Sequence, residues 1–273
     1  CRKRGSKIVL TVHDLLPHDT GETYKGTFDA LYRMVDGIVC HSDHIKARLA
    51  AEFAVSADKV SVIPHGPFFY DLPATGSEQT LRSFEVEPGH ALVLWQGIIF
   101  PYKGIDLLLR AWQQVEASGS TACLVIAGTG SAELLEKIRE QVQELSLTRV
   151  RLHFRFISTE ELVALYRAAD VVAYPYRAIT TSGALATGLA LGKAIVASDL
   201  PVFRELLTNG ESALLVDPQN AEALAGALLR LTGDAALRER LARSVREMNF
   251  GDQSWLSIAG KTAQAYERVL STP

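Results

Sequence analysis

The chain has 273 residues, 48% hydrophobic and 22% charged, which excludes a mainly disordered, collagen-like or coiled-coil protein. At roughly 100–200 residues per domain, this length predicts one large domain or two modest ones. The 28 Lys and Arg against 31 Asp and Glu give a net charge of −3, without the basic excess typical of proteins that bind nucleic acid. No apolar run of the sequence reaches the ~18–20 residues that a membrane-spanning helix needs.

The first residues and the cysteines add two expectations. Cys1, Cys40 and Cys123 lie far apart without metal-binding spacing, which favours a reducing, cytoplasmic location. The chain begins on Cys rather than Met, and a basic cluster leads directly into the first strand. We therefore expect an N-terminal segment to be missing.

Short β-rich runs alternate with helical patterns, as is typical of βαβ units around parallel sheets. The strands read as continuous apolar runs, as expected for strands covered on both faces. Strands are predicted at 8–12, 37–41, 60–63, 91–96, 122–127, 150–154, 170–174, 194–197 and 213–216. Helices are predicted at 105–115, 131–145, 159–168, 183–191, 221–231, 235–248 and 254–270. Ser158 and Glu161 form a capping box at the start of the helix 159–168.

One stretch breaks the alternation. Residues 68–89 are rich in Pro and Gly without a sustained period, which predicts an interdomain linker at 71–90. Three strands precede this linker and six follow it. We therefore expect an α/β fold with two Rossmann-like parallel-sheet domains. Residues 1–70 would form about half of the first, residues 91–250 the second, and 251–273 a helix that returns to the first.

The segment from Gly97 to Gly104 follows the predicted strand 91–96 and leads into the predicted helix 105–115. Glycine lets the backbone approach a ligand closely, and the free amides and dipole of a helix start attract an anion. Lys103 adds a positive charge beside them. This pattern predicts a phosphate site, for which an exposed loop lysine is the plainer alternative.

A second segment of this type follows the predicted strand 170–174. It contains Arg177, Thr181, Ser182 and Gly183 before the helix 183–191, and hydroxyl groups with a glycine at a helix start are typical of an anion cradle. Ligands of parallel sheets bind outside the carboxyl ends of the strands, so both segments are expected to converge on one ligand. Two facing anion sites favour a pyrophosphate, with a capped loop as the plainer alternative.

The order and spacing of several blocks identify a family resemblance. The chain resembles the family 4 (group 1) glycosyltransferases of the GT-B fold over nearly its whole length. Residues 91–217 resemble the donor-binding domain, residues 8–66 the second half of the N-terminal domain, and Ser254-Trp255 with the final helix the family's C-terminal helix. The blocks are Val12-His-Asp14, Val62-Ile-Pro-His-Gly66, Gly97-x5-Lys103-Gly104, Leu124-Val-Ile-Ala-Gly128-Thr-Gly130, Glu160-Glu-Leu-x3-Tyr166-x-Ala-Ala-Asp170, Gly192-Lys-Ala-Ile-Val-Ala-Ser198 and Phe203-Arg-Glu205 with Asn209-Gly210.

This resemblance implies a retaining glycosyl transfer from a nucleoside-diphosphate sugar. UDP- or GDP-sugars are the expected donors, and no metal or other cofactor is expected. The acceptor would be a carbohydrate or a lipid-linked molecule, as in polysaccharide biosynthesis. For an otherwise cytoplasmic protein, a peripheral contact with the inner membrane surface stays open.

The resemblance also implies roles for single residues. Lys103 beside Gly97 would hold the pyrophosphate, and the segment Thr181-Ser182-Gly183 would donate hydrogen bonds that stabilise the departing diphosphate. His13 would contact the donor sugar or position the acceptor, with Asp14 orienting its ring; these two are the implied catalytic residues. The backbone at Gly128 and Gly130 would approach the nucleotide, and Glu205 would lie near the nucleotide or sugar.

Three positions depart from the family pattern. Ile98 stands where the family usually has an arginine, and Ile179 and Thr187 stand where it usually has two glutamates. The lost arginine would remove a bidentate phosphate contact. Arg177 is our candidate for the missing positive charge.

Other functions remain open at this point. The chain could bind nucleotide sugars without transfer, or belong to another GT-B class such as the sugar-nucleotide epimerases. A metal site is suggested by residue type alone, but its candidates lack a recognised ligand spacing. Those candidates are His13, Asp14, His18, Asp19, His41, Asp43 and His44.

Overall fold

The computed structural model describes residues 5–17, 21–66, 81–87, 89–248 and 255–271. The predicted linker 71–90 lies mostly outside this part of the chain. The described strands are β1 (Val9–Val12), β2 (Gly37–Cys40), β3 (Val60–Val62), β4 (Leu92–Gln96), β5 (Cys123–Gly128), β6 (Val150–Phe154), β7 (Val171–Tyr174), β8 (Ala194–Ser198) and β9 (Leu214–Val216). The α-helices are α1 (Lys25–Met34), α2 (Asp43–Phe53), α3 (Ile105–Ala117), α4 (Ala132–Glu144), α5 (Thr159–Ala168), α6 (Gly183–Ala190), α7 (Pro201–Arg204), α8 (Ala221–Gly233), α9 (Ala235–Glu247) and α10 (Trp255–Ser271).

The nine predicted strands are confirmed, each to within one residue at either end, and the α/β fold with two parallel sheets is confirmed with them. The capping box at Ser158 is also present, because its hydroxyl accepts from the Glu161 amide while the Glu161 carboxylate accepts from the Ser158 amide. Asn220 and Asp234 cap the starts of α8 and α9 in the same side-chain-to-amide manner.

The chain forms two compact units, of which the first holds residues 1–67, 180–183 and 249–273. Its described strands form a parallel sheet in the order β1-β2-β3. One face of this sheet packs with α1 and α2 around fully buried side chains such as Tyr32 and Leu49. Ala265 of α10 packs with Val39 and Ile63 of the same unit.

The second unit holds residues 68–179 and 184–248. Its six-stranded parallel sheet has the order β6-β5-β4-β7-β8-β9. The chain therefore first runs outward from β4 through β5 to β6, and then returns to the other side of β4 with β7. In a doubly wound sheet this reversal opens a crevice at the carboxyl ends of the two central strands, where ligands bind. Here those strands are β4 and β7, paired through Val93 with Val171 and Leu94 with Val172.

Candidate functional site

The loops that follow β4 and β7 form the centre of the candidate site. We call residues 97–104 the β4 loop and residues 175–179 the β7 loop. The backbone amide of Arg177 donates to the carbonyl of Tyr102 at 2.7 Å, which joins the two loops directly. Both loops follow strand ends, as the sequence predicts, and within the second unit they lie side by side.

Glycine is required where the two loops touch. Gly104, at the start of α3, has a left-handed backbone with φ of 68°. A Cβ atom at this position would collide with the carbonyl oxygen of Pro175. Only glycine therefore combines this backbone conformation with this close approach.

The predicted glycines at the carboxyl end of β5 allow a similar close approach of backbones. Gly128 has φ of 151°, and a Cβ atom on it would collide with the carbonyl oxygen of Gly97. Gly130 lies against Ile99, whose backbone amide donates to Thr129 O at 2.6 Å. These glycines hold the β5 end against the β4 loop, and their contact with a nucleotide stays a prediction.

Arg177 has a different partner from the one expected. Its guanidinium forms two hydrogen bonds with the Asp106 carboxylate, at 2.7 and 2.6 Å, and a third with Pro101 O at 2.9 Å. These bonds keep the pKa of Asp106 below its usual value despite its burial, and the guanidinium of Arg110 contacts the same carboxylate at 2.9 Å. Asp106 is therefore a charged carboxylate between two arginines. Arg177 thus fastens the β7 loop to the β4 loop, instead of presenting an unpaired charge in place of the missing arginine.

The start of α3 also differs from the expectation of an open anion site. Asp106 lies in the first turn of this helix, where a carboxylate already complements the exposed amides and the helix dipole. The positive end of the helix is therefore partly satisfied by the chain itself. Any anion at the β4 loop depends mainly on Lys103.

Lys103 lies in an aromatic cage, which we define by Trp95 and Tyr176. Its Nζ atom lies 5.9 Å from the ring centre of Trp95 and 5.7 Å from that of Tyr176, and both rings are buried. A Cβ atom on Gly97 would come within 2.9 Å of the same Nζ atom, so glycine leaves room for the ammonium group. The cage thus holds a cation between two aromatic faces.

The charge of Lys103 is the most unusual electrostatic feature of the site. Burial lowers its pKa from 10.5 to about 8. Within the described ranges no carboxylate pairs with this ammonium group. By contrast, Lys193, whose pKa burial also lowers to about 8, donates to the carbonyls of Arg167 and Ala169. Partial burial of the Lys103 ammonium therefore costs desolvation free energy, and no described carboxylate compensates for this cost.

Other predicted residues lie in the first unit. Residues 180–183, which include Thr181, Ser182 and Gly183, belong to it together with His13 and Asp14. Within this unit the hydroxyl of Thr180 donates to the Asp14 carboxylate. Roles of these residues in ligand binding stay predictions.

The ring of His13 is oriented by another histidine. His13 is exposed, and its Nδ1 atom lies 3.1 Å from Nε2 of His41. The resemblance implies an orienting role for Asp14, which stays a prediction; the structure adds a contact of the ring with His41, which follows the neighbouring strand β2. Spacing along the chain gave no signal for this contact because the two residues are 28 positions apart.

The rival metal site finds no support in the described residues. No group of three or more His, Cys, Asp or Glu side chains among them has an arrangement that could hold a metal ion. Two of its candidates, His18 and Asp19, lie outside the part of the chain that is described.

The remaining predicted positions are placed as follows. Glu205 is exposed and caps the carboxyl end of the short helix α7. Ile98, which replaces the family arginine, is 57% exposed on the β4 loop, whereas Thr187 is buried in α6.

Sequence reasoning missed three contributors to the site. Asp106 carries the recognisable signal of an acidic residue in a first helical turn, but its partner lies 71 residues away. Trp95 and Tyr176 form the cage around Lys103. Trp95 lies on a buried strand and Tyr176 just after another, so the sequence alone suggests that both are core residues. Their role depends on the pairing of β4 with β7.

Comparisons with known proteins agree with this architecture. Residues 90–234 match the family model described as Glycosyl transferases group 1, and residues 1–66 match the one described as Glycosyltransferase Family 4. Phosphatidyl-myo-inositol mannosyltransferase of Mycolicibacterium smegmatis is 27% identical over 268 residues, which cover 96% of this chain and 65% of that protein. The chain spans between 58% and 65% of the length of the first curated relatives.

Solved structures share the fold. Sucrose-phosphate synthase of Thermosynechococcus elongatus matches with a TM-score of 0.80 and 24% identity over 97% of this chain and 68% of that one. Anabaena HepE in complex with UDP and glucose matches with a TM-score of 0.81 and 18% identity over 97% of this chain and 73% of that one. Both matches support the GT-B fold of this chain. Among the helices of the described ranges, none has both the length and the continuous apolar character that spanning a bilayer requires.

Proposed function

Because the chain belongs to the group 1 glycosyltransferases, we propose that it transfers a sugar from a nucleoside-diphosphate sugar whose diphosphate binds beside Lys103. The observation that carries this proposal is the half-buried ammonium of Lys103, which has no carboxylate partner among the described residues. A diphosphate would supply the missing negative charge and raise the pKa of Lys103 toward its ordinary value. The place of Lys103 at the β4–β7 reversal is where a doubly wound sheet binds its ligand.

The same charge suits the chemistry of transfer. As the bond between the sugar and the diphosphate breaks, negative charge develops on the departing phosphate oxygen. A fixed cation stabilises this charge more strongly in a partly dry site than in water. With the ammonium in this role, the proposed reaction needs no metal cofactor. We expect retention of the sugar configuration, as in the family that the sequence resembles.

The Arg177–Asp106 pair has a supporting role in this proposal. It joins the β7 loop to the first turn of α3, next to Lys103. Binding sites need loops that are already held in place, because ordering a loop on binding costs affinity. We therefore assign Arg177 to the geometry of the site and Lys103 to its charge.

Thermal unfolding with and without nucleotides tests the donor site. UDP or GDP, at about 100 times its Kd, is expected to stabilise the chain by about 2.7 kcal/mol, which corresponds to roughly 5–10 °C in Tm. Uridine and guanosine, which lack the diphosphate, are the matched controls and are expected to shift Tm little. An equal shift by nucleoside and diphosphate, or none by either, would contradict the proposed site.

Sugar transfer is measured separately. UDP- and GDP-sugars are offered with acceptors that include phosphatidylinositol, because a mannosyltransferase of that lipid is among the relatives. The anomeric configuration of the product, read by NMR, tests retention. Donor binding without transfer to any acceptor would favour the alternative of a nucleotide-sugar-binding module.

A further inference from the structure

Three histidines meet at one edge of the first sheet. His13 follows β1, His41 follows β2, and His65 lies just beyond β3. The strands are neighbours and parallel, so their carboxyl ends share an edge. The ring centres of His13 and His41 are 4.9 Å apart, and those of His41 and His65 are 5.5 Å apart. We call these three residues the histidine row.

The hydrogen bonds of the row determine where the protons lie. Nδ1 of His41 lies 2.9 Å from the carbonyl oxygen of Ile63. A carbonyl oxygen only accepts hydrogen bonds, so Nδ1 of His41 must carry the hydrogen. In a neutral ring the other nitrogen, Nε2, then has a lone pair and accepts. The hydrogen of the 3.1 Å contact between the two rings must therefore be on Nδ1 of His13.

The neutral form of His41 is the form that its surroundings favour. Burial lowers the pKa of His41, and its neighbours His13 and His65 lower it further, while the bond to the Ile63 carbonyl opposes them. His65 makes its own hydrogen bond through Nδ1 to Gly66 O at 2.7 Å and meets His41 edge to face. His41 is thus an acceptor toward His13 near neutral pH.

We propose that His41 is a positioning residue that holds His13 in its Nδ1–H tautomer, so that Nε2 of His13 accepts a hydrogen bond from a hydroxyl group of the sugar substrate. In the Nδ1–H tautomer, Nε2 of His13 has a lone pair and no hydrogen. It makes no hydrogen bond to any residue in the described ranges, and the His13 side chain is exposed. Sugar hydroxyl groups are donors of the matching kind. The substrate part of this inference rests on the proposed function.

The tautomer itself is measured without any ligand. Correlation spectra of the ¹⁵N-labelled full chain separate a protonated ring nitrogen from an unprotonated one. In the wild type, Nδ1 of His13 is expected to be protonated and Nε2 unprotonated. The variant His41→Phe keeps a ring but removes the acceptor. In this variant the Nδ1–H form of His13 is expected no longer to be the major tautomer. His41→Gln keeps an acceptor at a similar reach and is expected to restore it.

The control variant is His65→Phe. It preserves an aromatic edge against His41 but removes the nitrogen atoms of His65, so the His13 tautomer is expected to stay unchanged. The proposal is overturned if wild-type His13 is found mainly in its Nε2–H form. It is also overturned if the tautomer of His13 does not change in His41→Phe. These outcomes do not depend on whether the chain binds nucleotides.

Transfer kinetics test the link to the substrate. If the proposed function holds, His41→Phe should transfer sugar about tenfold more slowly, the effect of about one hydrogen bond, and His41→Gln should recover most of that rate. An unchanged rate in His41→Phe, in a chain that transfers sugar and shows the tautomer change, overturns the substrate contact. Absence of nucleotide binding with the expected tautomers would instead count against the proposed function and leave the role of His41 toward His13 supported.

Discussion

Replacement of Lys103 by methionine is expected to raise the free energy of unfolding by about 1–2 kcal/mol and to abolish diphosphate binding. A pKa of about 8 instead of 10.5 means that the folded chain holds this ammonium less favourably than the unfolded chain, by at most about 3 kcal/mol. The two cage rings offset part of this cost. Methionine fills the cage with an apolar, flexible side chain and removes the charge. Urea unfolding followed by tryptophan fluorescence measures the difference.

The pH dependence of stability gives the same variant a second signature. Between pH 8 and 10.5, the unfolded chain still holds the proton that folded Lys103 has lost. The lysine therefore makes stability rise with pH across this window. Lys103→Met is expected to remove this contribution, so its gain over the wild type should be largest below pH 8.

Lys193→Met is the matched control. Its lysine has a pKa lowered to about 8 by burial as well, but its ammonium satisfies the carbonyls of Arg167 and Ala169 at the end of α5. The substitution removes both hydrogen bonds and leaves the two carbonyl oxygens without this donor. The variant is therefore expected to be less stable than wild type by about 1–2 kcal/mol. If both methionine variants change stability in the same direction, the functional interpretation of the Lys103 charge loses its support.

Gly104→Ala is expected to destabilise the second unit by about 3 kcal/mol. A left-handed backbone costs an alanine about 1 kcal/mol, and the collision of its Cβ atom with Pro175 O forces the two loops apart at a further cost of about 1–3 kcal/mol. Because Lys103 is the preceding residue, diphosphate affinity should fall as well. Urea unfolding and calorimetry measure the two effects.

Gly226→Ala provides the comparison. Gly226 is exposed within α8, and a Cβ atom there meets nothing within 4 Å. Alanine favours a helix more than glycine does, so this variant is expected to gain about 0.5–1 kcal/mol. Equal effects of the two substitutions would show that the contact between the β4 and β7 loops does not constrain residue 104.

The strands could be predicted because each is a short apolar run with clear breaks, and such runs need no knowledge of distant residues. Helix α2 was missed although Ser42 caps it and Ile45, Leu49 and Phe53 recur at helical spacing. That signal was local and available. The order β6-β5-β4-β7, by contrast, has no local signal, because it depends on which strands pair.

The candidate site was predictable in part for the same reason. Lys103 and the glycines around it form a contiguous motif, so the sequence points to them directly. The Arg177–Asp106 pair joins residues 71 positions apart, and the contact of His13 with His41 joins residues 28 positions apart. Only the folded sheets bring these partners together, which is why the sequence predicted neither the partner of Arg177 nor the contact of His13 with His41.

The most direct test of the Lys103 site is the Kd of UDP measured by calorimetry between pH 7 and 9. If binding needs the protonated ammonium, affinity should be constant well below pH 8 and about tenfold weaker at pH 9. The reason is that the pKa of Lys103 in the folded, ligand-free chain is about 8. At pH 8 binding should take up protons from the buffer, and Lys103→Met should show neither binding nor uptake. A Kd that stays constant across this range, without proton uptake, would contradict the assignment of the diphosphate to Lys103.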